Sequence, residues 1–138
     1  MKPIFATTKN SSECLRACVA SILEVPLEIV PNLGDGINNP REQLIRISKF
    51  LRIYNLDIVQ YTANSNDSMD KFYFNKTGYY IGRISCYSGH QQSVVMNNNR
   101  IVHNPERGSH ILLEEPSKYI IFYNLNASIV RANTIPGE

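Results

Sequence analysis

Hydrophobic positions follow a helical period in the first third of the chain and a strand-like one afterwards. In SSECLRACVASILEVP, Cys14, Cys18, Ile22 and Val25 share one helical face, and Leu15, Val19 and Leu23 widen it. The spacing predicts a helix from about Ser12 to Glu24, capped by Ser11 or Ser12. Glu13 suits the positive end of its dipole and Pro26 stops it. A short helical turn in PLEIVPNL and a loop at GDGINN follow. The second helix is expected to open with Asn39 as cap and Pro40 in the first helical position, with Glu42 in the first turn. Leu44, Ile47 and Leu51 carry its apolar stripe towards Tyr54, while Arg41, Arg46, Lys49 and Arg52 read as its solvated face.

Beyond Tyr54 the period shortens. DIVQY, GYYIGRI, QSVVM, RIVHN and YIIFYN read as five short strands, and TANSNDSMDKFYFNKT as a polar loop. NNNR, between the third and fourth strands, is a hairpin turn, because Asn tolerates positive φ. Helices first and a mostly antiparallel sheet afterwards make an α+β domain spanning residues 1–138. Residues 1–10 and 131–138 are expected to fray.

Composition narrows the function. With 138 residues, 43% of them hydrophobic, the chain can bury one real core. A net charge of +2 supplies no dense basic stripe of the kind that phosphate backbones select, which argues against nucleic acid. No apolar run approaches the roughly 20 residues of a membrane span, and no apolar stretch of a signal peptide follows the first lysine. Three cysteines fit neither a disulfide framework nor a paired zinc motif. Reduced thiols in a cytosol are the simpler expectation, with no metal and no cofactor implied. The abundance of Asn and Ile points to an AT-rich coding genome, viral or low-GC bacterial.

One residue carries candidate chemistry by its position. A cysteine in the first turn of a helix sits in the field of unpaired backbone N–H groups, which favours the nucleophilic thiolate. Cys14 holds that place, whereas Cys18 reads as a core residue. A cysteine hydrolase also needs an imidazole within hydrogen-bond reach, a group that orients it, and a donor for the oxyanion.

The stretches ECLRACVASILEVPLEIVPNL and SVVMNNNRIVHNPERG resemble small bacterial and phage proteins of the papain-like cysteine peptidase superfamily, in particular the peptidase domains of bacteriocin-exporting transporters. The resemblance covers about a third of the chain. It implies a papain-like fold in which N-terminal helices pack on the sheet and Cys14 takes the nucleophile's place. The family's Asp or Asn after the hairpin falls on Asn104, before Pro105, and its oxyanion-supporting Gln falls on Thr8. Its His, directly before a small-Val-Val sequence, falls on Gln92 in QQSVVM.

Gln92 cannot serve as a base near neutral pH, and general-base catalysis is worth on the order of 10² to 10⁴ in rate. Three functions therefore compete. In the first the catalytic site is degraded. Thr8, Cys14, Gln92 and Asn104 then line a cleft that holds a small polar ligand, nucleotide-like or peptide-like, or a partner protein. In a phage setting this would sequester a host signal or block a host defence protein. In the second the chain is an active cysteine peptidase or acyl-transfer enzyme, with His90 as base for Cys14 and Asn104 orienting it. His90 lies two residues before Gln92, about 6.6 to 6.8 Å along a regular strand, so a bulge would have to bring it in. In the third the domain is an interaction module with no role for the cleft.

Overall fold

A computed structural model describes residues 1–7, 11–34, 40–62, 78–85, 91–106 and 116–125. Its elements are α1 (Ser11–Leu23), a 3₁₀ turn (Leu27–Ile29), α2 (Pro40–Leu51), a second 3₁₀ turn (Arg52–Tyr54), and five strands. These are β1 (Leu56–Thr62), β2 (Tyr80–Ser85), β3 (Gln91–Asn97), β4 (Arg100–His103) and β5 (Lys118–Asn124). All five expected strands and both helices are present, and the fold class is α+β. The sheet order is β1-β5-β2-β3-β4 with every neighbouring pair antiparallel. Among the described residues no helix is long and apolar enough to cross a membrane.

Both helices cover one face of the sheet. Leu15, Cys18, Val19 and Ala20 of α1 and Ile47 and Leu51 of α2 pack with Ile81, Val95, Ile120 and Phe122, all buried. The other face carries a second cluster of Tyr80, Ile84, Val94, Met96 and Ile121. This split follows from strand alternation: successive side chains of β2, β3 and β5 point to opposite faces. On the second face Gly82 is a packing requirement, because a Cβ there would collide with Met96 Sδ and would lie 2.9 Å from Pro116 Cγ.

The turns are made by local backbone chemistry. Asn98 and Asn99 sit at φ 54° and 63°, the positive values that a two-residue hairpin turn between right-twisted strands demands. Tyr80 on β2 secures the turn, with its hydroxyl accepting from Asn99 N at 3.0 Å. Helix α1 ends differently from expectation. Its stop is Glu24 at φ 58°, with Glu24 N donating to Ser21 O and Val25 N donating to Ala20 O at 3.0 Å. That is a Schellman-type end, and Pro26 comes after it.

The N-terminal segment, expected to fray, is tied down over residues 1–7. Lys2 N donates to Ser21 O, Ile4 N to Ser21 Oγ, and Ala6 N to Pro105 O. His103 Nε2 lies 2.7 Å from Ile4 O, and its ring meets Phe5 edge-on at 4.9 Å. Two of these are backbone pairings, which leave little trace in side-chain pattern, and the others use Ser21, Phe5 and His103, residues distant in sequence. Residues 126–138, which include the other expected frayed end, and the polar loop at 63–77 lie outside the described residues.

The cations of α2 are not a uniform solvated face. Arg46 donates to Glu42 and to Asn32 O, fastening α2 to the preceding segment. Arg52 joins Ser48 on the Asp57 carboxylate at the start of β1.

A non-glycine residue in the left-handed region costs on the order of 1 kcal/mol that glycine does not. Glu24→Gly is therefore expected to raise unfolding stability by about 1 kcal/mol in urea titrations. The 3.6 Å contact of Glu24 with the Met1 ammonium is too exposed to offset this.

Candidate functional site

Cys14 stands in the fourth position of α1, one turn before Cys18, and both are buried and outside any disulfide. Cys14 is only 1% exposed, so the expected placement at a helix start holds while open access to its sulfur does not. The neighbouring Arg16 anchors this end of the helix. Its Nε donates to Val30 O at 2.7 Å and its Nη1 to Glu13 at 3.3 Å. Cys18 is fully enclosed, and burial pushes its thiol well above the ordinary range. Charge on Cys14 adds to that rise, and Arg83 opposes it.

Gln92 and Asn104 are brought together. Gln92 Nε2 donates to Asn104 Oδ1 at 2.6 Å, and the same oxygen accepts from Glu106 N at 3.1 Å. Gln92 is 2% exposed and Asn104 half-buried. A bulge makes this pairing possible. Val95 pairs with His103 but Met96 with Ile101, so β4 carries Val102 as an extra residue. The extra residue turns His103 towards the helix-covered face, where it meets Phe5 and Ile4, and brings Asn104 in line with Val94 and Gln92. His103 is thus a core histidine and not a base for Cys14. Thr8 and His90 fall outside the described residues, as do Cys86 and His110.

In the alternation of β3, Gln92 stands with Val94, and Ser93 stands with Val95, the residue that packs against α1. Sequence reasoning passed over the polar residues that do share the face of α1, Arg83 and Ser93. Arg83 was detectable as the one charge inside the apolar run GYYIGRI. Among the described residues no group of His, Cys, Asp and Glu could hold a metal ion.

Comparison with protein families, with curated proteins and with solved structures returns no match for this chain.

The burial of Cys18 has a thermodynamic sign. Its folded pKa lies above the unfolded value of about 8.5, so its contribution is intact below that pH and is lost as pH rises towards the folded pKa. As pH rises above the ordinary thiol range, unfolding stability is expected to fall through this one group. Urea titrations of Cys18→Ala should show the shallower slope, whatever its stability at pH 7.

Proposed function

We propose that the chain is a papain-like domain that has lost its catalytic base. It binds a small polar ligand, nucleotide-like or peptide-like, or a partner protein, without cutting it. The observation that carries this is the 2.6 Å hydrogen bond from Gln92 Nε2 to Asn104 Oδ1. In the resemblance these positions belong to the imidazole and the group that orients it. Two amides in that relation reproduce the orienting hydrogen bond but cannot take up a proton near neutral pH, so they supply no general base. The order of helices before an antiparallel sheet supports the same assignment, as does the turn after β4 at which Asn104 precedes Pro105.

The cleft in this proposal lies around the Gln91 end of β3, between the start of α1 and the amide pair. Neutral amides suit the recognition of a polar ligand, since they offer both donors and acceptors without charge. In a phage setting the use would be sequestration of a host signal or obstruction of a host defence protein.

Restoring the missing group tests the assignment. Gln92→His is expected to raise the rate of Cys14 alkylation by iodoacetamide at pH 7 by roughly 10²-fold, the lower end of what a general base supplies. Peptide mapping by mass spectrometry identifies the modified thiol. An unchanged rate in a folded Gln92→His protein would remove Gln92 from the base position and the papain-like assignment with it.

A further inference from the structure

Arg83 lies in β2 with 2% of its surface exposed, and its Nε and Nη1 are buried with no hydrogen-bond partner among the described residues. Its register partner on β3 is Ser93, fully buried, whose Oγ is also unpartnered. On the other side its register partner is Lys118 of β5. Ile81 and Val95 flank this row and pack against α1, so alternation places Ser93, Arg83 and Lys118 on the helix-covered face. Three adjacent strands thus carry a polar row across an otherwise apolar surface, with two cations and no carboxylate in it.

An unpaired guanidinium in such a place is costly. An isolated buried charge is penalised by several kcal/mol, and each unsatisfied donor adds to that. Arginine does not escape by losing its proton. Cys18 is near enough for its charge and that of Arg83 to act on each other, but burial holds its thiol protonated, so it is not the counter-charge. Three polar atoms with no partner among the described residues meet at one cross-strand position, where the register neighbours include a second cation, Lys118. A water molecule would answer the hydrogen bonds and leave the charge; an anion answers both.

We propose that Arg83, flanked by Ser93 and Lys118, is the receptor for a small oxyanion, either a free inorganic ion or the phosphate or carboxylate group of a larger ligand. Arg83 supplies charge and the Nε and Nη1 donors, Ser93 Oγ donates a further hydrogen bond, and Lys118 reinforces the field. The site is separate from the Gln92–Asn104 pair and does not depend on the loss of a catalytic base.

Thermal unfolding of the full chain in inorganic phosphate, against sodium chloride at matched ionic strength, tests this. Phosphate is expected to raise the Tm of the wild-type protein by at least about 3 °C at saturation, as binding to the folded state alone requires. Arg83→Met should melt no lower than wild type without phosphate, because an apolar side chain replaces an unpaired charge, and should show no phosphate response. Ser93→Ala, the smaller perturbation, should fold and respond at higher phosphate concentration. A wild-type Tm that phosphate does not move beyond the chloride control overturns the proposal. So does an equal shift in Arg83→Met, which would mark a general salt effect, or an unaltered response in Ser93→Ala. A nucleoside monophosphate in place of phosphate assigns the source. Half-saturation at least tenfold lower marks the anionic group of a larger ligand, and an equal value marks a free ion.

Discussion

The structure depends on the seating of α1 against the inner face of the sheet. Leu15, Cys18, Val19 and Ala20 are all sealed between helix and strands, and each removes apolar surface from water at about 25 cal/mol per Å². This contact fixes how far Cys14 can stand from β3, and it makes the polar residues beneath the helix expensive. It also organises the N-terminal segment, since Ser21 Oγ on α1 receives Ile4 N while Ala6 reaches Pro105. The segment closes the space between the helix and the end of β4.

Two polar arrangements survive in this setting, and they differ in kind. The Gln92–Asn104 pair is satisfied and neutral, so it costs little to bury and offers no proton chemistry. The Arg83–Ser93 position is charged and unsatisfied, so it stores a penalty that a ligand can relieve. The two features concern different faces of β3, and each can fail without the other.

Much of the fold was legible from periodicity. The alternation of QSVVM and YIIFYN found β3 and β5 to within a residue or two, and Asn98–Asn99 announced the hairpin because few other side chains accept positive φ. Pro40 marked the second helix because its ring suits a first turn and little else. The end of α1 was less legible, because Glu24 takes a left-handed conformation with no glycine to signal it. The pinning of residues 1–7 was invisible, since its hydrogen bonds are to the main chain of that segment, which does not select side chains. The bulge at Val102 decided which face His103 takes, and an extra residue in one strand cannot be read without its partner. At the site, Gln92 and Asn104 were legible through the resemblance. Arg83 was passed over although it is the one charge inside the apolar run GYYIGRI.

The central proposal is that Gln92 stands in the position of a catalytic base and cannot act as one. Intact-mass measurement of the wild-type protein with an epoxysuccinyl electrophile at pH 7 tests it most directly. The account predicts no adduct at Cys14 over hours, with labelling only after unfolding. Stoichiometric labelling of the folded protein within minutes, abolished by His90→Ala, would contradict it.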